Sequence, residues 1–147
     1  MNSPEAAIRD VILSNEEMSS LVGTRVYPVI APATVDTPFV VYRRAAIKRE
    51  ATFTGPMGNP TVSVEFQMMA DTYETVRNLA DTLRGAIDGW TGMVDDVLIH
   101  QTFLQQEYDH FAQLQGAEMP PVYCVSQVYD LIWKEIEHGE DSLHDAS

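Results

Sequence analysis

Hydrophobic and polar positions repeat with two different periods along the 147-residue chain, and the change of period separates helices from strands. Near the start, Ser3-Pro4 is typical of a helix N-cap followed by proline at the first helical position. The apolar residues after it recur at helical spacing. A second short helix is predicted from Asn15, and Gly23 ends it. The N-terminal region is therefore predicted to be a short helical segment.

The strongest helical pattern lies in the middle of the chain. Asp71 and Glu74 have the spacing of a capping box, in which each side chain accepts from the other residue's backbone N–H. Gly89 and Gly92 end the helix. The apolar stripe, at the spacing of a helix lying on a sheet, consists of Val76, Leu79, Ala80, Leu83 and Ile87.

Strands are predicted at residues 25–28, 39–46, 61–69, 97–103 (continuing towards Tyr108) and 122–133. The third of these alternates cleanly. Its apolar residues share the face of Val62 and Val64, whereas Ser63, Glu65 and Gln67 share the other face, which we expect to be less apolar. Residues 109–121 are predicted to form a loop, and Asp95 and Asp96 to form a turn before a strand.

These elements predict an α+β fold: a mostly antiparallel sheet with one long helix packed across it, a short N-terminal helical segment and a projecting β-hairpin. The tip of the hairpin is predicted within residues 48–60, which are rich in glycine and proline. One domain is expected over residues 1–134. Residues 135–147 hold five acids and no base, and we expect a mobile acidic tail there.

Charge narrows the range of partners. The chain contains nine Lys and Arg residues and 22 Asp and Glu residues, which gives a net charge of −13. Binding to duplex DNA usually needs a basic face, so a DNA-gripping role is not expected. No apolar run reaches the roughly 20 residues of a membrane span, and no signal peptide is evident. With Cys124 as the one cysteine, no intrachain disulfide is possible, and we expect the chain to stay in a reducing cytosol until assembly.

A search for catalytic chemistry is mostly negative. No glycine-rich phosphate loop is present, and Cys124 lies mid-strand among apolar neighbours, which favours a buried structural thiol over a nucleophile. No enzyme activity, cofactor or metal site is expected. The one alternative is weak metal binding by the acidic tail, through His138, Glu140, Asp141 and His144.

Basic charge is concentrated at one place. Four of the nine bases lie within seven residues, at the end of one hairpin strand and the start of its loop: Arg43, Arg44, Lys48 and Arg49. The hairpin tip adds three apolar residues, Phe53, Pro56 and Met57. Two interpretations remain open: ordinary ion pairs at a solvated strand end, or contact with an acidic neighbour such as a second copy of the chain. The candidate acidic partner is the helix face formed by Glu74, Asp81 and Asp88.

Several short segments, in this order and spacing, resemble one known family. They are SPEAAIR (3–9), LVGTRVYP (21–28), TPFVVY (37–42), TGP (54–56), ADTY (70–73), ADTLRGAI (80–87) and the tyrosines Tyr123 and Tyr129 of the last strand. Over residues 3–134 the chain resembles the tail-terminator or tail-completion proteins of phages with long, non-contractile tails. The acidic tail after Trp133 is not a feature of that family.

The resemblance implies a small α+β subunit of the virion that forms a homo-hexameric ring at the head-proximal end of the tail tube. Such a ring stops tube polymerisation and joins the tail to a head-side connector. The genome passes through its bore without specific binding, and assembly takes place in the host cytoplasm. Two alternatives remain: a neighbouring neck protein (a head-completion or adaptor ring), and a small cytosolic binding domain or enzyme unrelated to phages.

Overall fold

Three helices and one six-stranded sheet make up the part of the chain that the computed structural model describes, residues 3–48, 60–112 and 122–136. The helices are α1 (Pro4–Ser14), α2 (Glu16–Val22) and α3 (Tyr73–Ile87). The strands are β1 (Val26–Pro28), β2 (Phe39–Lys48), β3 (Thr61–Ala70), β4 (Gly92–Val94), β5 (Val97–Ala112) and β6 (Val122–Glu135). The predicted α+β class is confirmed. No helix in these ranges is long and apolar enough to cross a membrane.

The sheet has the strand order β1-β2-β3-β6-β5-β4. Only β1 and β2 are parallel, and every other neighbouring pair is antiparallel. The prediction of a loop from residue 109 was wrong at its start, because β5 continues to Ala112 in register with β6. Strand β4 was not predicted, since three residues are too few to show a period. The expected turn at Asp95 and Asp96 joins β4 to β5.

The helices pack on one side of the sheet, here called the helix face. The buried core there includes Val62, Val64, Phe66 and Met68 of β3, together with the predicted apolar stripe of α3. The start of α3 differs from the prediction by one residue. Thr72 is the N-cap and its hydroxyl accepts from the backbone N–H of Thr75 at 3.1 Å. Asp71 instead accepts from the Thr37 hydroxyl at 2.8 Å, so the predicted capping box does not form.

The opposite side of the sheet, here called the polar face, is buried more deeply than its alternating sequence indicates. Ser63 is 6% exposed and Glu65 is 4% exposed. Each contacts polar side chains from other strands of the sheet. The Ser63 hydroxyl donates to Asp130 at 2.6 Å, and Glu65 accepts from Arg43 and Tyr108. The centre of this face is therefore largely closed to solvent, and its polar groups satisfy one another by hydrogen bonds.

Strands β2 and β3 pair antiparallel, with a register shift between Arg44 and Ala46. The residues that connect them, 49–59, include the predicted projecting tip and lie outside the described part of the chain. The same holds for residues 137–147 of the predicted acidic tail. The projection of the hairpin and the mobility of the tail therefore stay predictions.

Candidate interaction surfaces

The single cysteine of the chain lies in a buried environment. Cys124 is 1% exposed, and burial raises the pKa of its thiol to about 11. At neutral pH the thiol is protonated and out of reach, which makes it unsuitable as a nucleophile. In the described ranges no three His, Cys, Asp or Glu residues are arranged to hold a metal. The four tail residues proposed as a weak metal set lie outside those ranges.

The basic cluster already has partners within its own chain. Arg43, on the polar face, pairs with Glu65 at 2.8 Å. Arg44, on the helix face, donates from one nitrogen to both carboxylate oxygens of Glu5, at 2.7 and 2.8 Å. The side chain of Arg43 is still 51% exposed, and that of Arg44 36%. Both arginines are therefore ordered by a carboxylate on one side and open to solvent on the other.

The other residues of the predicted basic site lie at the end of β2 and beyond it. Lys48 is the last residue of β2. Arg49, Phe53, Pro56 and Met57 lie outside the described residues. Their role in an interface stays a prediction.

The three acids of the predicted helix face are exposed along α3 and its C-cap, but two of them are engaged. Asp81 is shared between Arg77 at 3.6 Å and Arg84 at 3.5 Å. Asp88 accepts from the backbone N–H of Leu104 at 3.0 Å, so it covers part of the β5 edge. The face is therefore a weaker acidic partner for a second copy than its sequence suggests.

A second charged cluster, which sequence reasoning missed, joins α3 to β5. Arg77 pairs with Glu107 at 3.1 Å and with Asp109 at 3.2 Å. The Tyr73 hydroxyl donates to Asp109 at 2.6 Å, and the ring of Tyr73 meets Tyr123 edge to face at 6.0 Å. Both tyrosines are nearly half exposed. No local pattern could reveal this cluster, because it depends on how α3 lies over β5.

Beneath this cluster lies a buried polar group that fixes the position of α3. The Gln127 amide donates to the backbone carbonyl of Ala80 at 3.0 Å and to Glu107 at 2.6 Å. Its oxygen accepts from the Tyr129 hydroxyl at 2.7 Å. Burial raises the pKa of Tyr129 above its ordinary range, so this hydroxyl remains a donor. The exposed Arg77 cluster thus stands on a rigid base.

An apolar groove of about 440 Å³ lies where the segment between β1 and β2 crosses the polar face. Its exposed rim is Val29, 71% exposed, and Ile30, 78% exposed. Its floor includes Phe39, Val41 and Met69. The sequence contained a signal for this groove. The apolar run that begins at Val29 lies outside any helix or strand pattern, so no periodic element would carry it into the core. Exposed apolar groups of this kind often mark interaction sites.

The charged clusters and the apolar groove are suited to contacts with other proteins. Comparisons with known proteins give the class of protein to which the chain belongs. A model of the family described as tail completion protein gp17 matches residues 6–115. The match covers most of the chain, so the chain belongs to that family. It is a structural protein of the bacteriophage tail, as the sequence resemblance predicted.

The fold is shared with a chain from a structure described as the virion of a native gene transfer agent (GTA) particle, with a TM-score of 0.66 and 15% sequence identity. The superposition covers 88% of this chain and 95% of that chain. A search of curated proteins found no match.

Proposed function

We propose that this protein forms a ring at the head-proximal end of the tail tube, where it ends tube polymerisation and joins the tail to the head. The observation that carries the proposal is the tail completion family match, which runs from α1 to beyond the end of β5. The order and spacing of the short segments that resemble tail terminators support the same position in the tail.

The proposed partners are further copies of this chain, six in all, together with the tail tube protein and a head-side connector or head-completion protein. Assembly takes place in the host cytoplasm before the subunit becomes part of the virion. The activity is structural and not enzymatic. The buried, protonated Cys124 thiol is consistent with that role.

The acidic charge suits a ring around the genome. With a net charge of −13 per subunit, a ring concentrates negative charge. An acidic lumen repels DNA phosphates, so DNA passes without being held. This part of the proposal predicts an electronegative bore, and a basic bore in a structure of the assembled ring would contradict it.

Deletion of the gene in its parent phage or prophage tests the position, with electron microscopy of the lysate as the readout. We expect overlong or irregular tail tubes beside filled, unattached heads. Supplying the intact gene in trans is the control and restores infectious particles. Tails of normal length beside tailless heads would instead assign the protein to the head side of the neck. Normal infectious particles would overturn both positions.

A mass measurement tests the ring directly. Sedimentation of the purified chain, alone and with tail tubes, distinguishes the 16.4 kDa subunit from a species six times that mass. A chain that stays monomeric under both conditions would contradict a ring.

A further inference from the structure

The two margins of the sheet are only partly paired within the described residues. Strand β1 is in register with Val40–Tyr42 of β2, and β4 with Val97–Ile99 of β5. Residues 43–48 of β2 and most of β5 beyond residue 99 therefore have one neighbouring strand in the described part of the sheet. A strand edge of this kind offers free backbone N–H and C=O groups to another chain.

The backbone hydrogen bonds show which groups of β2 point outward. The N–H of Val40 donates to Arg25 at 2.9 Å, and the carbonyl of Tyr42 accepts from Val29 at 2.8 Å. Both bonds point away from β3. Since outward groups alternate along a strand, Arg44 is the next residue whose backbone N–H faces outward. It lies just before the register shift between Arg44 and Ala46.

On β5, the end of α3 covers the first part of the outer edge. The Thr102 carbonyl accepts from the N–H of Gly89 at 2.7 Å, and the N–H of Leu104 donates to Asp88. Beyond Leu104, the contacts of α3 with β5 described above are between side chains, from Tyr73 and Arg77 to Glu107 and Asp109. A register shift follows between Leu104 and Gln106, and the strand then continues to Ala112.

The pairing with β6 identifies the outward residues beyond that point. Leu104, Glu107 and Asp109 lie opposite Tyr129, Gln127 and Val125, which follow one another in steps of two along β6. Alternate residues of β6 have the same hydrogen-bonding direction. Glu107 and Asp109 therefore carry outward backbone groups, as Leu104 does.

These two edges carry opposite charge. Residues 43–48, RRAAIK, hold three bases and no acid, whereas residues 106–112, QEYDHFA, hold two acids and no base. Intrachain partners reduce the contrast without removing it: Glu5 and Glu65 face the basic edge, and Arg77 faces the acidic edge. Opposite charges on adjacent strands are favourable and fix register.

We propose that the β2 edge of one copy, from Arg44 onward, adds as a strand to the outer β5 edge of the next copy. The inference rests on the proposed ring and names its subunit contact. Because the two edges are at opposite margins of the sheet, the contact is heterologous, which is the type of contact that a closed ring requires. Tyr73 and Tyr123, nearly half exposed beside Asp109, supply the aromatic anchors common at such contacts.

The test blocks each edge with proline, which lacks the N–H that an added strand needs. Arg44→Pro blocks the basic edge and Asp109→Pro the acidic edge. Neither removes a backbone N–H that bonds within the sheet. The matched controls are Arg44→Ala and Asp109→Ala, which lose the same side-chain contacts but keep the N–H. We expect each proline variant to weaken assembly by about tenfold or more relative to its control, measured by sedimentation.

Mixing the two proline variants sharpens the test. Each has one intact edge, so each alone assembles only weakly, whereas a molecule of one variant pairs with a molecule of the other through their intact edges and adds no third. Sedimentation should show a species of twice 16.4 kDa, which misfolded variants would not form. Suppose that the wild-type chain forms rings. If the proline variants then assemble as well as their controls, or if their mixture stays monomeric, the edge contact is wrong and the ring still stands. A wild-type chain that never assembles would overturn the ring and the contact together.

Discussion

The two faces of the sheet are buried by different means. On the helix face, apolar side chains such as Phe66 and Leu79 pack against one another without exposure. On the polar face, Ser63, Glu65 and Asp130 are almost as deeply buried, but hydrogen bonds and one arginine satisfy them. Burial on the helix face depends on how apolar side chains fill the space, whereas burial on the polar face depends on hydrogen-bond geometry.

This difference explains why one face was predictable and the other was not. Apolar residues in period need only a surface to pack against, and a helix with a matching stripe supplies it. Polar residues are buried only when a partner lies within hydrogen-bonding distance. For Glu65 the partners are Arg43 and Tyr108, which come from two other strands. The comparison predicts that substitutions on the two faces change the free energy of unfolding by different amounts.

The largest effect is expected from Phe66→Ala on the helix face. Phe66 is fully buried and its ring meets Tyr129 edge to face at 5.7 Å. Truncation removes this contact and leaves a cavity, at a cost of about 3–5 kcal/mol in the free energy of unfolding. Urea denaturation measures it. The adjacent Gln67→Ala, on the other face, is the control and should cost much less. Equal losses at both positions would show that the helix face is not the better packed.

The second effect is a loss of stability at alkaline pH, and it tests whether water reaches the buried part of the polar face. The Cys124 thiol has a pKa of about 11 in the folded chain, against 9.0 as its ordinary value. Between these values the unfolded chain loses the proton first, so stability present below about pH 9 is lost as the pH rises towards 11.

Urea denaturation of the wild type and Cys124→Ala across this range isolates the effect of the thiol. Their difference in unfolding free energy should shrink by about 2–3 kcal/mol between pH 8 and 11. Tyr129 destabilises both proteins equally at high pH, so it cancels in the comparison. A difference that does not change with pH would mean that water reaches the thiol.

The third effect compares two adjacent arginines whose partners lie on opposite faces. Arg43→Glu sets a carboxylate against the buried Glu65, and we expect a loss of about 1–3 kcal/mol. Arg44→Glu opposes the more exposed Glu5, and the loss should be about 1 kcal/mol or less. Thermal and urea unfolding measure both. The double variant should also weaken ring formation, and unchanged sedimentation would argue against the basic cluster as a contact.

The smallest effect is that of a single hydroxyl. Tyr108→Phe removes the donor to Glu65 and keeps the ring that stacks on His110 at 5.6 Å. The cost should be about 1 kcal/mol. Tyr123→Phe is the control, since the contact seen for Tyr123 in the described residues is between rings. If the two variants unfold alike, the polar face does not depend on its hydrogen bonds.

The sequence by itself determined the features that local chemistry controls. The spacing of apolar residues located α3 and the inward face of β3, and Asn15 and Gly23 bound α2 as predicted. The start of α3 was predicted one residue early because two neighbouring residues competed for the N-cap position. Asp71 and Thr72 are both good N-cap residues, and the contact of Asp71 with Thr37 left the cap to Thr72.

Only the tertiary structure decided the features that depend on register. The contacts of Arg43 with Glu65, of Arg44 with Glu5, and of Arg77 with β5 join residues that lie 22 to 39 positions apart along the chain. Which strand edges lack a neighbour among the described residues was equally invisible, because it depends on how far β1 and β4 extend along their neighbours. A local pattern records which residues prefer burial, whereas strand order and register decide which groups meet and which are left for a partner.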